Sequence, residues 1–467
     1  MSEAPTEPPP PAENPREPPL APSSTRVAGE LPPLMSDRAF WGMNVTQFLG
    51  AFNDNVFKQL ILLLATPTAD QLKAAEAAGE TAADYQWIAT IVFGVPFLMF
   101  SGFAGWLAER TSKRSLIIVS KGAEIGVMLL GMVGFYFYGA IGLGGMFIVL
   151  FLMGMQSTFF GPPKYGILPE MLRDRDLPRA NGIFLMFTFV AIIFGVALAG
   201  QLMSFGQQAV ENGEQANAAA RVWKASAVCV LIAVVGTLTA LLVRRVPVAD
   251  PGAKLTWSDL LVPPQMIRLV WGDRRLLFAL IVTSSFWMLG SIVQQAVNAL
   301  GKSQLGQNDF YTSLLAAMLG LGIPVGCVVG GYLSQGRINP RPVAWGSWGI
   351  VVCLVLLSLP GGPNNHLLGY WGTAPVLVLL GFATGMFVVP IQVSLQVLPP
   401  PSEKGRMIAL MNQCNFVGII LGGFVFGAAL SALAAAGLPR NMTFLVTAAI
   451  MLPIALFYRP QEMRLGA

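Results

Sequence analysis

Cut at its charged, proline-rich and glycine-rich interruptions, this chain of 467 residues separates into twelve apolar stretches, at 40–65, 85–108, 115–138, 142–161, 181–205, 223–243, 276–299, 310–334, 343–360, 374–398, 407–432 and 441–458. Each is close to the roughly 20 residues that a helix needs to cross the hydrocarbon of a bilayer. No water is present there to satisfy N–H and C=O groups, so a crossing segment must close its backbone hydrogen bonds internally, and an all-α membrane protein is predicted. Composition agrees. Hydrophobic residues make up 54% of the chain and charged ones only 11%, against about 25% charged in a soluble domain. The net charge of +5 does not call for nucleic acid, because in such a chain the distribution of charge among loops matters more than its total.

With the N terminus placed in the cytoplasm, 22 of the 29 Lys and Arg residues fall in the tails and inward loops. Five fall outside (Lys73, Arg221, Lys224, Lys302 and Arg440), and Lys58 and Lys121 lie within spans. Both termini are therefore expected to be cytoplasmic. Residues 1–38 form a Pro-rich tail whose composition cannot offset the entropy of ordering; it lacks the basic and apolar regions of a secretory signal. The expected organisation is a six-helix bundle at 39–245, a cytoplasmic linker at 246–273 with an interfacial segment (TWSDLLVPPQMIRLVW), a second bundle at 274–459 and a short tail at 460–467. Two six-helix bundles joined in this way are what parallel repeats produce, with a substrate site between the halves near the midplane.

Charged groups inside the spans are the candidate functional residues, because each costs at least ~2.5–3.5 kcal/mol at the bilayer centre. Asp54 and Lys58, four residues apart in the first span, could neutralise each other, as could Lys121 and Glu124, three apart in the third. Such pairs either let the helices insert or meet a polar cargo. Asn53 and Asn55 flank Asp54 and need partners on a neighbouring helix or on the cargo. In the second half, Gln294, Gln295 and Asn298 cluster on the seventh span, Gln392 and Gln396 on the tenth, and Asn412, Gln413 and Asn415 on the eleventh. These amides are candidates for the cavity wall and equally for contacts between helices. Gly322, Gly326 and Gly330, with Gly418, Gly422, Gly423 and Gly427, supply the small-residue steps that allow close helix approach.

Gly105-Trp106-Leu107-Ala108-Glu109-Arg110-Thr111-Ser112-Lys113-Arg114 resembles the loop signature of the major facilitator superfamily. Glu109 stands for the usual Asp and Ser112 for the second Gly. The counterpart in the second half runs from Gly331 to Arg341, with Gln335 in place of the acid. A carboxylate at a helix end among guanidinium groups could latch inward loops in one conformation, which makes Gly105, Glu109, Arg110, Lys113 and Arg114 latch candidates. Four strings taken together, QFLGAFNDN, GPPKYGILPEM, LPRANGIF and GGYLSQGRI, are similar to the bacterial lysophospholipid transporter family, over nearly all of 40–458. That likeness implies inward movement of lysophosphatidylethanolamine and lysophosphatidylglycerol across the bacterial inner membrane, and functional coupling to the acyltransferase or acyl-acyl-carrier-protein synthetase modules that reacylate them. A monomer without a cofactor is expected. Asp54 and Lys164 match positions of the family pattern. Under this reading Lys58, Lys121 or Lys164 contacts phosphate, while Asp54 or Glu124 receives the amine or a proton.

An enzyme is not expected. Gly301-Lys302-Ser303 has Ala296 where a phosphate loop needs Gly, and His366, the only histidine, sits in the outward loop PNNHLLG, so no His-based triad or metal cluster is expected. The alternative function is a proton-coupled exporter of an amphipathic drug or siderophore. Its usual Gly-x-x-x-Gly-Pro element is missing from the fifth span, which reads FGVALAGQL. A sensor or scaffold, the third reading, would need a soluble output domain, and none is evident.

Overall fold

The computed structural model describes residues 31–173, 176–211, 218–248, 251–252, 264–334, 337–361, 366–400 and 404–464. Most of the Pro-rich tail, residues 249–250 and 253–263 of the linker, and Gln335 lie outside the described residues, as does the side chain of Gln396. Twelve long helices are present among the described residues: α1 (Arg38–Ala65), α2 (Gln86–Arg110), α3 (Lys113–Tyr136), α4 (Tyr138–Gly166), α5 (Leu177–Glu211), α6 (Ala218–Ala240), α7 (Arg274–Asn298), α8 (Asp309–Ser334), α9 (Pro340–Ser358), α10 (Gly369–Val397), α11 (Lys404–Ala435) and α12 (Thr443–Phe457). Eleven of them are long and apolar enough to cross a membrane. The exception, α1, reaches 28 residues but carries Asn44, Gln47, Asn53, Asp54, Lys58 and Gln59 along its length. Its polarity is tolerable because the first half folds around it: Asn44, Gln47, Asn53 and Gln59 are all fully buried.

Local sequence sets the helix ends. The Asp37 carboxylate accepts from Ala39 N at 2.8 Å and starts α1, Asp273 does the same for Arg275 N at 2.9 Å in α7, and Asn339 caps α9. Between α1 and α2, Thr68 and Gln71 form a reciprocal capping box that starts a short helix, Ala69–Ala77. Gly142, at φ 58°, interrupts α4 in a conformation open to glycine. A short helix, Pro264–Gly272, precedes α7; Met266 and Val270 are buried and Trp271 is exposed.

The packing repeats with a shift of six. α1 packs on α5 as α7 does on α11; α2 pairs with α4 as α8 does with α10, and α3 with α6 as α9 does with α12. Each half has its own apolar core, one centred on Phe57, Leu60 and Met128, the other on Val297, Leu354 and Phe387. Glycines allow the closest approaches. Gly322 and Gly326 lie against the carbonyls of Val378 and Phe382 on α10, and Gly418 against that of Ser284 on α7. The twelve crossings thus form two pseudo-symmetric bundles of six helices, joined along the α2–α11 and α5–α8 seams.

Both seams are closed at one end. Because successive helices alternate in direction, one face of the molecule carries the start of α1 and the end of α12, and the other carries the ends of α1 and α7. All described hydrogen bonds and ring contacts between the halves lie between the middle of the bundle and this far face. Phe97 on α2 stacks on Phe416 of α11 at 3.8 Å and 7°, and beyond it Gly94 meets Ile420 and Gly427 meets the Trp87 ring.

Candidate functional site

The charged residues of α1 and α3 divide into two environments, set by helix rotation. Adjacent residues on a helix differ by about 100° in direction. Asn53 therefore points into the first bundle, where its Nδ2 donates to Glu124 Oε1 at 2.8 Å. Glu124 also forms an ion pair with Lys121. Lys121 and Asn53 are fully buried and Glu124 is 1% exposed. Room for the lysine comes from Gly236 on α6 and Gly50 on α1, where an idealised Cβ would lie 3.0 Å and 3.3 Å from its ammonium. A buried ion pair with this additional hydrogen bond is internally satisfied.

Asp54 turns the other way, toward α4. Its Oδ2 accepts from Ser157 Oγ at 2.5 Å and its Oδ1 from Gln156 Nε2 at 3.3 Å. It keeps partial exposure, as does Lys58. Lys58 does not close on Asp54; its ammonium stands 5.4 Å from the Phe93 ring centroid on α2. The expected i,i+4 neutralisation is thus replaced by hydrogen bonds across to α4 and a cation–π contact to α2. Asn55 donates to Ala51 O of its own helix at 2.7 Å.

Lys164, in the last turn of α4, is held by aromatic faces. Its ammonium lies 4.9 Å from the Tyr165 ring, 5.8 Å from Phe184 and 6.0 Å from Phe160. Such contacts favour a cation by ~0.5–2 kcal/mol each without cancelling its charge. Lys121, Lys164 and Glu124 are all within electrostatic reach of Asp54. The first half therefore holds a partly exposed acid and two partly exposed bases, Lys58 and Lys164, with no direct ion pair between them.

The amides of the second half are placed differently from one another. Asn298 is fully buried in the far seam, where its Oδ1 accepts from Gln59 Nε2 at 3.0 Å and its Nδ2 donates to Gln86 Oε1 at 3.0 Å. Gln295 donates to Ser291 O at 3.0 Å, and its own carbonyl accepts from Gln86 Nε2 at 3.4 Å. Gln294 and Gln392 are half-buried. Asn298 and Gln295 thus tie the halves together at the far face.

On the near face, Lys113 pairs with Glu170, and Arg114 donates to the carbonyls of Val243 at 2.7 Å and Leu241 at 2.9 Å. Asp37 meets Arg244 at 3.1 Å. Arg110 lies over the Trp106 ring at 5.3 Å, Glu109 is exposed, and Gly105 has open space around it. The carboxylates that engage cations here are Glu170 and Asp37, while Glu109 faces outward.

Sequence reasoning passed over Gln156 and Ser157, although the polar run Gln156-Ser157-Thr158 inside an apolar span was a usable signal. It also passed over Gln59, Asp84 and Gln86. Asp84 Oδ1 accepts from Gln86 N at 3.1 Å, and its Oδ2 from Arg440 Nη1 at 3.0 Å across the seam. Burial holds the Asp84 carboxyl above the usual carboxylate range, and Arg440 partly offsets this.

Comparison with known proteins places this arrangement in context. The family model of the Major Facilitator Superfamily matches residues 43–423. The lysophospholipid transporter LplT of Yersinia pestis (strain Pestoides F) is 26% identical over 390 residues, covering 81% of this chain and 84% of the relative. Among solved structures, a mutant of the nucleoside transporter NupG superposes with a TM-score of 0.64 at 13% identity, covering 90% of this chain and 98% of that one. The D-xylose-proton symporter gives a TM-score of 0.62 at 15% identity, with 90% and 96% coverage.

Proposed function

This chain belongs to the Major Facilitator Superfamily, a family of membrane transporters, and from that premise we propose that it carries lysophospholipids between leaflets by alternating access. Its cargo is lysophosphatidylethanolamine and lysophosphatidylglycerol, moved from the outer to the inner leaflet of a bacterial inner membrane for reacylation. Both termini then lie in the cytoplasm, in keeping with the charge of the loops. Functional coupling to an acyltransferase or acyl-acyl-carrier-protein synthetase belongs to the same proposal, as does action as a monomer.

One observation carries the reading: Asp54, Lys58 and Lys164 are charged, partly exposed and without a direct ion pair among the described residues, whereas Lys121 and Glu124 in the same bundle are paired and sealed. An anionic phosphate suits Lys164 or Lys58, and an ethanolamine ammonium suits Asp54, whose two hydrogen bonds leave further lone pairs. The single acyl chain remains in lipid, through an opening between the halves. The relatives named as lysophospholipid transporters support the same cargo.

The test follows labelled lysophosphatidylethanolamine from the outer leaflet of reconstituted vesicles. Asp54→Asn should slow its movement by about tenfold or more, the equivalent of one charge-assisted hydrogen bond. Movement at the parent rate would remove Asp54 from the site. Arrest of inward movement on dissipating the proton gradient would favour the proton-coupled exporter instead.

A further inference from the structure

The ammonium of Lys302 occupies a place suited to a free cation. It lies in the π-helical turn Ala299–Gln304 that continues α7, and it is 6% exposed. Its Nζ is 2.8 Å from the Asp309 carboxylate on α8, which is fully buried. It also donates at 2.6 Å to the carbonyl of Leu63, in the last turn of α1, at the negative end of that helix dipole. The next residue, Ser303, donates to Pro67 O at 2.6 Å, so consecutive residues of the second half grip the chain as it leaves α1.

Two more buried oxygens at this junction have no hydrogen-bond partner among the described residues, Thr312 Oγ1 and Gln59 Oε1. Thr312 packs against Gly301, where an idealised Cβ would lie 3.0 Å from its hydroxyl. Gln59 lies one turn before Leu63, and its amide nitrogen donates to Ser313 at 3.3 Å. The carboxylate and the helix C-terminal carbonyl that hold the ammonium are the kind of oxygens with which transporters coordinate a monovalent cation, and the hydroxyl and amide oxygen lie on neighbouring turns. We infer that the crossing of α1, α7 and α8 is a monovalent-cation site whose occupant is the tethered ammonium of Lys302, and that this cation clasps the far ends of the two halves. The same role explains why Lys302 departs from the inward bias of the basic residues. The inference does not depend on the identity of the cargo.

The experiment uses the full chain in nanodiscs, with the four native cysteines changed to serine and Ser313→Cys as reporter. Ser313 is fully buried in the closed seam, so a water-soluble maleimide should label it slowly. Lys302→Ala should speed labelling about tenfold by shifting the seam toward its open state. Methylammonium or sodium at about tens of millimolar should return it to the parent rate by binding the closed state. Tetramethylammonium, bulkier and without N–H donors, should have no effect, and Lys302→Arg should label slowly with no additive. The inference is overturned if Lys302→Ala labels as slowly as the parent, or if neither methylammonium nor sodium slows it. Asp309→Asn covers the case in which Lys302→Ala does not fold: with the ammonium uncompensated, it should label fast whether or not methylammonium is present. Slow labelling of that variant would equally overturn the inference.

Discussion

At the scale of single residues, Asn53 and Asp54 are chain neighbours that serve different surroundings. Asn53 completes the sealed pair of Lys121 and Glu124, while Asp54 stays reachable beside Gln156 and Ser157. Removing one partner of a buried pair strands the other, at a cost of ~3–5 kcal/mol, whereas replacing both with apolar residues of similar size is often neutral. Lys121→Met should therefore lower the unfolding temperature and the yield of monodisperse protein, and adding Glu124→Leu should recover most of the loss. Asp54→Asn should unfold near the parent temperature while losing transport. An unchanged melting temperature for Lys121→Met would show that the pair does not support the fold.

At the scale of elements, the glycine steps differ in what they meet. On α8, an idealised Cβ at Gly326 runs into the backbone of Phe382, which cannot swing aside as a side chain would. Gly326→Val should cost at least ~1–3 kcal/mol through overpacking, visible as loss of folded protein. At Gly105 an idealised Cβ meets nothing, so Gly105→Ala should preserve the fold and add up to ~1 kcal/mol of helix propensity. The loop joining α9 to α10 is held by His366, whose Nε2 contacts Leu357 O at 2.7 Å and whose Nδ1 faces Thr373 Oγ1 at 3.3 Å. Burial pushes this ring below the ordinary histidine value of 6.5. The unfolded loop then binds a proton more readily than the folded one, so the loop's stability is present above pH 6.5 and is lost as pH falls through the lowered value. Hydrogen-exchange protection at Leu359 and Leu367 should drop on acidification from pH 7.5 to pH 5, and His366→Gln should abolish that dependence.

At the scale of the whole molecule, contacts that recur with a shift of six define two bundles meeting along two seams, closed at the far face. Alternating access requires those seams to part. An idealised Cβ on Gly320 of α8 lies 3.6 Å from Ile193 Cβ on α5, inside the roughly 3.5–4.5 Å window of a disulfide. Cysteines at both positions should cross-link on mild oxidation and stop transport, and reduction should restore it. Transport that continued through full cross-linking would mean that the halves do not separate there.

The number of crossings, their approximate ends and the six-plus-six repeat were legible in the sequence, because hydropathy, helix length and loop charge are local properties. So was the presence of costly charges inside the spans, Asp54, Lys58, Lys121 and Glu124 among them. Which of these charges satisfy one another depends on how each helix is rotated and what packs beside it. Asp54 reaches Gln156 and Ser157 over 102 and 103 residues of chain, and Gln59 reaches Asn298 over 239. Tertiary structure alone therefore decided that Lys121 and Glu124 are sealed, that Asp54 is bound by α4 while Lys58 lies over Phe93, and that Asn298 and Lys302 bind the two halves at one face. Such pairings arise only when helices distant in the chain come within about 3 Å of each other, the range over which a hydrogen bond acts.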